Sequence, residues 1–566
     1  MKKSIIASFL LCFSLPALTC SELPGLRSKM LRSKATAGEI LVSTMNRLGY
    51  GAHARSWLNK RTIENIERRF GKRVAVSLIA EELRAEFKKM SYRHYMPYRW
   101  SAGKHPNRIH INAFKPRHLV KEYRADLMES EDWRSSKVNG IFMGIQKRRK
   151  IMDAVNISKF NPQAKILDFW SNHFNVSSRK SQLLHNDYEY RLKRESCGTF
   201  ASMLKMTAKH PAMLNYLDNR RNTRLIKNKK GEVRSNLNEN YGREVVELHT
   251  LGTGPILRYD KKGRPVYAYY VGDAHQYDEV LEATKVLSGF RYDFQKFQTE
   301  FKDQLHEPGK KYFPKMFGRK VVIGQGYKES MRFLDLLARH WRTKWNICSK
   351  LVKSIYGFHP GRGTVRACSN AYGRRGNLKR MYESIILSDV FFNPKLFGRG
   401  VKAPMEAVIG GARALGTVIG NTSTYAEFQK TSRLIYGVTT LGRSLYDYGA
   451  PTGQFFDSKL LKSSTYVANR IDALKRIENG SNLKFWRFTG NDLENYATKR
   501  AQRLGRRRMV QDTYDIISPV FLNVQEKTLL WRNTKFFNRP DREWSTNRPI
   551  KSTVIRSYAS GPGIRK

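Results

Sequence analysis

Apolar residues return at three- and four-residue spacing along most of this chain, and only short breaks separate one such stretch from the next. That period places apolar side chains on one face of a helix, so a large multi-helix assembly is the fold class that satisfies it. The spacing predicts helices over Leu41–Leu48, Thr62–Phe70, Val74–Met90, Gly140–Asn156, Pro162–Phe174, Tyr188–Ala208 and Pro211–Tyr216. Further helices are predicted over Asn238–Gly252, Tyr277–Leu287, Glu329–Tyr356, Leu378–Ser388, Ala403–Val418, Tyr425–Tyr436 and Leu460–Ile477. One stretch breaks the pattern. Ile256–Tyr259 and Pro265–Tyr270 flank the turn signal Asp260-Lys261-Lys262-Gly263, which predicts one small β-hairpin. The predicted fold is therefore mainly α, with that hairpin and irregular basic and aromatic loops such as Tyr92–Pro116. Residues 21–535 read as a single helical region with a sub-boundary near 300–325. Residues 536–566, polar with scattered aromatics and ending in Gly561-Pro562-Gly563, read as an extended or frayed tail.

The first 20 residues carry a secretory signal pattern: Lys2 and Lys3, the apolar run Ile5–Leu18, then the small-residue segment Ala17-Leu18-Thr19-Cys20. The run is shorter than the roughly 20 residues a bilayer-spanning helix needs. Leu18-Thr19 departs from the pattern that precedes a lipid-anchored cysteine, so lipid anchoring at Cys20 is not expected. The next most apolar window, Ala403–Ile419, carries Glu406 and Arg413 and reads as an amphipathic helix. An exported chain without a transmembrane span, periplasmic or secreted, is the expectation. The cysteines show no CxxC or Cys/His spacing of a zinc site. Cys348 and Cys368 either pair in an oxidising compartment or stay as two buried thiols.

Lys and Arg number 104 against 48 Asp and Glu, a formal charge of +56, while 40% apolar residues leave ample material for a core. The composition thus excludes wholesale disorder and points to association with polyanions, which a cationic surface binds by displacing their counterions. The cations are dispersed. Tight clusters occur only at Lys147-Arg148-Arg149-Lys150 and Arg506-Arg507-Arg508, and no helix-turn-helix, finger or RNP motif appears, which argues against sequence-specific nucleic-acid recognition. An exported protein meets anionic envelope and extracellular polymers first.

Two segments place polar residues densely inside apolar helices. In Asp168-Phe169-Trp170-Ser171-Asn172-His173-Phe174, Asp168 and Asn172 share a face and His173 falls on the apolar side with Phe169. In Asn238–Gly252, residues Asn240, Arg243, Glu244 and Glu247 form one polar stripe at i, i+3, i+4 and i+7, with Asn236 and Glu239 resembling a capping box and Gly252 a helix end. If buried, the stripe needs partners, and Asp168 and Asn172 are the candidates. The stripe supports either a structural hydrogen-bonded cluster or a catalytic centre made of Glu244, Glu247 and Arg243 with Asp168 and His173 opposite. Asn172, Asn240 and His249 are then candidate binding residues. Glu244 and Glu247 can also face one ion, yet the Glu-x-x-His partner of a di-iron carboxylate bundle is missing, and His249 lies about 200° round the helix from Glu247, so no metal is assigned. No GxSxG, Walker A, HExxH or EF-hand motif is present. His210-Pro211 reads as a helix start, and His306-Glu307-Pro308-Gly309 as a turn.

On these residues the chain resembles the bacterial family known as domain of unknown function 1800. Met45–Gly51 is similar to its "NRLGFG" opening, Asp168–Val176 to "FWxNHFxV", and His210–Leu214 with Tyr216–Asn219 to "HPAMLxYLDN". The most specific likeness is Asn238–Gly252 to "NENYARELxELHTLG"; Tyr277–Phe290, Leu387-Ser388 and Lys402-Ala403-Pro404 continue it. Gly242 stands where the family pattern has Ala, and the segment Leu441-Gly442-Arg443-Ser444 through Tyr448–Gln454 departs from its Gly-Gln and Pro-Pro-x-x-x-Gly-Trp. The resemblance implies an exported, mainly helical bacterial protein, often accompanied by a sulfatase-like partner family. It implies no established activity and leaves any cofactor unknown. From the sequence, the leading expectation is an exported helical protein that associates with anionic polymers. The alternative is a secreted hydrolase centred on Arg243, Glu244 and Glu247.

Overall fold

The structure, a computed structural model, describes residues 20–90 and 137–454, apart from short interruptions, and isolated positions from 461 to 473. The apolar run of the signal segment, the Tyr92–Pro116 loop, the Arg506–Arg508 cluster, most of Leu460–Ile477 and the 536–566 tail lie outside the described residues.

The chain is mainly α, as its periodicity requires. Helices α1 (Leu26–Arg32), α2 (Ala37–Leu48), α3 (Lys60–Phe70) and α4 (Lys72–Lys89) form the first layer. The start of α2 shows a complete capping box between Thr36 and Glu39. Next come α5 (Lys137–Val155), α6 (Pro162–His173), α7 (Ser178–Glu195), α8 (Phe200–Lys209) and α9 (Pro211–Tyr216). The single helix predicted over Tyr188–Ala208 is two helices, because Gly198 interrupts it and the Thr199 side chain caps the new start at Ser202 N. The polar segment forms α10 (Glu239–Val246) and a π-helical turn, Glu247–Leu251. The predicted hairpin is present as β3 (Gly254–Tyr259) paired antiparallel with β4 (Pro265–Val271), and three further two-stranded ribbons accompany it: β1 (Ile226–Lys227) with β2 (Val233–Arg234), β5 (Phe290–Asp293) with β6 (Gln298–Phe301), and β7 (Lys311–Phe313) with β8 (Lys320–Val322).

Between and after the ribbons run α11 (Tyr277–Val286), α12 (Pro314–Phe317), α13 (Gly326–Arg339), α14 (Trp341–Tyr356), α15 (Arg362–Tyr372), α16 (Leu378–Ile386), α17 (Pro404–Ala414) and α18 (Tyr425–Thr440). The helix predicted over Glu329–Tyr356 is also divided, at His340, whose ring accepts from Arg342 N and caps α14.

A large core collects residues from α1 to α16, including Trp170, Phe174, Phe200, Val245, Phe313, Met316, Phe333 and Tyr382. A second core joins α5, α17 and α18 around Ile151, Val408, Ile409 and Leu434. Helix α17 is not the amphipathic helix its charges suggest. All its residues are buried; Glu406 pairs with Lys165, and Arg413 donates to the Gly51 and Val155 carbonyls. Charge inside a helix here marks a satisfied interior contact rather than a wet face.

Two disulfides staple the assembly. Cys348–Cys368 ties α14 to α15, and Cys20–Cys197 ties the chain ahead of α1 to the end of α7. Cys20 is fully buried, so it belongs to the folded body and its sulfur is committed to Cys197 rather than available to lipid. Among the described residues no helix is long and apolar enough to cross a membrane.

Candidate functional site

The polar segment begins at Asn238, whose side chain accepts from Asn240 N; this is the N-cap of α10, in place of the Asn236 start read from sequence. Val245 and Val246 anchor α10 in the core, and Tyr241 is buried beside them. Gly242 brings α10 against α11: a Cβ there would sit 2.3 Å from Thr284 Oγ1 and 3.0 Å from Thr284 N. The alanine of the family pattern therefore does not fit this helix pair. At the far end the Thr250 hydroxyl donates back to the Val245 and Val246 carbonyls within the π turn, and Gly252 ends the element with φ +84° while Asn346 donates to Thr250 O. π turns recur at functional sites because they re-aim side chains.

The stripe emerges on the half-exposed side of α10. Arg243 is held within its own helix, by Glu239 at 3.0 Å and Glu247 at 3.4 Å. Asn240 donates to Leu217 O at 3.4 Å. Glu244 has no hydrogen-bond or ion-pair partner among the described residues. Burial first, and neighbouring Glu247 second, push its carboxyl up to about 7 against the pull of Arg243. Burial also raises Glu247, with Arg243 opposing. The Tyr216 phenol borders this pair; burial and the Glu244 charge hold it protonated, and its hydroxyl donates to Gly449 O at 2.7 Å. A carboxyl titrating near neutrality, reachable from solvent and next to a second carboxylate, is equipped to give and take a proton.

The structure separates Asp168 and Asn172 from this stripe. Asp168 pairs with Lys150 at 3.1 Å and Arg443 at 3.1 Å, and Asn172 accepts from Arg443 and from Gln454 N. Burial pushes the Asp168 carboxyl up, but Lys150 and Arg443 hold it well below the usual carboxylate range. Lys150 also reaches Glu189 at 3.3 Å, and Glu189 accepts from Ser171, Gln146 and the Tyr446 hydroxyl. Two anions, two cations and their donors close a network in which every charge is paired, the arrangement of a structural lock. The sequence partners proposed for the stripe thus serve Arg443 and Lys150 instead. Lys150 was hidden in the basic run Lys147–Lys150, which resembles a solvated face but buries Lys150 and sends Lys147 to Asp447.

His173 and His249 do meet. His173 Nε2 donates to the His249 carbonyl at 3.2 Å, and the two rings lie 6.3 Å apart among Trp170, Phe174 and Tyr241. Both are buried, and burial with nearby Lys350 drives them neutral, His249 to about 3. They are buried histidines that join α6 to the π turn. A third polar cluster went unseen in the sequence: the His306 ring contacts Glu329 at 2.6 Å, Lys311 contacts the same carboxylate at 2.9 Å, and His306 Nδ1 donates to Ser288 O. Because that nitrogen faces a carbonyl, it is no base for the Ser288 hydroxyl, and the cluster pins β7 to α13. Among the described residues no group of three or more His, Cys, Asp or Glu is placed to hold a metal.

The segment 443–454 connects the two polar centres. Arg443 and Gln454 grip α6, Asn175 donates to the Tyr448 and Ala450 carbonyls, and Tyr216 reaches Gly449 beside Glu244. With this geometry in view, residues 43–536 match the family model described as protein of unknown function (DUF1800). The chain belongs to this family. No curated protein and no solved structure matches it. The matched range of this DUF1800 protein includes the polar segment that supplies Arg243, Glu244 and Glu247.

Proposed function

We propose that this DUF1800 protein is exported and associates, through its cationic surface, with anionic polymers of the envelope or extracellular matrix. The observation that carries the reading is the charge balance. With 104 Lys and Arg against 48 Asp and Glu, at least 56 cations have no carboxylate in the chain to neutralise them. Such an excess repels itself and is relieved by a polyanion. The signal pattern ahead of Cys20 and the two disulfides support an extracytoplasmic location, and the Cys20–Cys197 disulfide moves the end of the signal segment from residue 20 to before Cys20. The test is retention on immobilised heparin and on polygalacturonate at rising salt. Strong retention at low salt and progressive release are expected; salt-independent retention, or none at low salt, refutes the proposal.

The partnerless Glu244 favours a second reading, a hydrolase acting on such a polymer with Glu244 as proton donor and Glu247 beside it. Glu244→Gln would then abolish turnover of an anionic glycan without lowering the melting temperature. Retained turnover eliminates this reading. The sulfatase-like partner rests on family resemblance and is tested by co-purification.

A further inference from the structure

Between Asp335 and Glu383 the chain runs for 47 residues with eleven Lys and Arg and no acidic residue at all. This stretch folds into α14, α15 and α16, which pack on one another, and the Cys348–Cys368 disulfide locks the first two together. The face that α15, α16 and their connecting turn turn outward is cationic. Arg362, Arg366, Arg374, Arg375 and Arg380 are exposed and Lys379 is half-exposed. Arg375 lies 3.7 Å from Asp335; Arg366, Arg374, Lys379 and Arg380 have no side-chain partner among the described residues. The local field is felt by His359, which burial and then Lys353 push below its ordinary value.

The turn that presents Arg374 and Arg375 is rigid. Its carbonyls accept from the first amides of α8, Phe200 N to Gly376 O at 2.7 Å and Ala201 N to Arg375 O at 3.0 Å. Gly376, at φ +76°, sits where a Cβ would press on Phe200 and Tyr372. The guanidinium groups are therefore mounted on a backbone that loses little freedom on binding.

We propose that this α15–α16 face is the docking surface for the anionic polymer, and that the polymer is an acidic polysaccharide whose carboxylate or sulfate groups lie in the arginine forks. The inference rests on the polyanion reading above and names its site. The chemistry of the face selects the polymer class. Single-stranded nucleic acid binds on aromatic platforms interleaved with cations, but Tyr372 and Tyr382 are buried, and among the described residues the exposed large hydrophobics, Trp57, Phe70 and Tyr436 among them, lie elsewhere. A membrane-docking face also needs an apolar wedge, and the described residues of this face supply none. What remains is forked, planar recognition of oxyanions, the property that distinguishes arginine from lysine.

The experiment uses the full chain. Arg366, Arg374, Arg375 and Arg380 are changed together to Gln; a control removes four exposed cations from α3 and α4 (Arg68, Arg69, Arg73 and Lys88, each to Gln); a third variant changes the four face arginines to Lys. Affinity for polygalacturonate and heparin is measured over a salt series, with circular dichroism to confirm that each variant folds. The face variant should lower the log–log salt slope by about 3–4, and the control by less than about 1. The Lys variant should keep the slope and bind several-fold more weakly. Equal losses in the face and control variants overturn the assignment while leaving polyanion binding intact. Failure of the wild-type chain to bind at low salt removes the reading beneath it. Unchanged affinity in the Lys variant overturns forked recognition. Tighter, face-dependent binding of single-stranded DNA than of either glycan overturns the polysaccharide class.

Discussion

Ionising Glu244 is work the folded protein does without help, because its charge lies half-buried beside Glu247 and its helix spends Arg243 on Glu239 and Glu247. The carboxyl moves from an ordinary 4.5 to about 7 on folding. Between those values the native state binds more protons than the unfolded chain, so stability falls as pH rises through the window, and the whole penalty is present above it. At about 1.4 kcal/mol per pH unit the ceiling is about 3 kcal/mol. Water screens a half-exposed group, which brings the expected penalty to about 1–2 kcal/mol. Glu244→Gln removes it. At pH 8 the variant should therefore be more stable than wild type by that amount, and at pH 4.5 the two should coincide. For a chain of this length 1 kcal/mol moves the melting temperature by about 1 °C, so scanning calorimetry from pH 4.5 to 8 should show a gap that opens to about 1–2 °C. Glu247→Gln should narrow the gap by removing the second cause. A difference that stays flat with pH, or a variant less stable throughout, refutes the reasoning and makes Glu244 an ordinary structural side chain.

Gly242→Ala should cost about 1–3 kcal/mol in urea denaturation, because the new Cβ meets Thr284, and Thr284→Ala should recover only part of it since the Thr284 backbone is also in the way. His249 has the opposite pH signature to Glu244: its depressed folded value means the unfolded chain binds more protons below about 6.5, so stability falls as pH drops, by about 2 kcal/mol from pH 6.5 to 5 for this group, and His249→Phe should make that limb of the pH–stability curve shallower by its share while the depressed His173, His185 and His210 keep the rest. Reduction should lower the melting temperature, the chain-entropy contributions being about 3 kcal/mol for the 20-residue separation of Cys348–Cys368 and about 5 kcal/mol for the 177-residue separation of Cys20–Cys197; Cys20→Ser with Cys197→Ser should reproduce the larger share without reductant.

The helices were legible because their apolar spacing is a local property, and so was the one hairpin with a strong turn signal. The breaks inside Tyr188–Ala208 and Glu329–Tyr356 were not, because the caps that make them, Thr199 and His340, look like ordinary helix residues until the backbone turns at them. Strand β5 packs on α9 and β7 on α11, helices from earlier in the chain, and no local window reports such contacts. For the site, the stripe Asn240, Arg243, Glu244 and Glu247 was visible as a helical pattern, and its half-exposure follows from Val245 and Val246 facing the core on the other side. The mispairing of Asp168 and Asn172 has a different origin. Their true partners, Arg443 and Lys150, lie some 275 and 18 residues away, in a segment that departs from the family pattern and in a run that reads as solvent-facing. Pairing across such distances is a tertiary fact, and composition gives no sign of it.

That pairing bears on the stripe all the same. The segment 443–454 is fixed at both ends to α6, by Arg443 on Asp168 and by Gln454 on Asn172, with Gly453 packed so closely on the Asn172 carbonyl that a Cβ would stand 2.1 Å from it. Its middle passes Tyr216, whose hydroxyl donates to Gly449 O and whose phenol feels the Glu244 charge. The Glu244–Glu247 pair thus neighbours a tyrosine whose hydroxyl is held by a strap, and the position of that strap is set by a salt-bridged lock elsewhere in the molecule. A buried lock of this kind contributes little net stability against an apolar substitute, whereas loss of one partner leaves a desolvated charge behind. Its value lies in geometry: Asp168 and Asn172, which are not members of the stripe, hold the strap whose Gly449 carbonyl accepts from Tyr216.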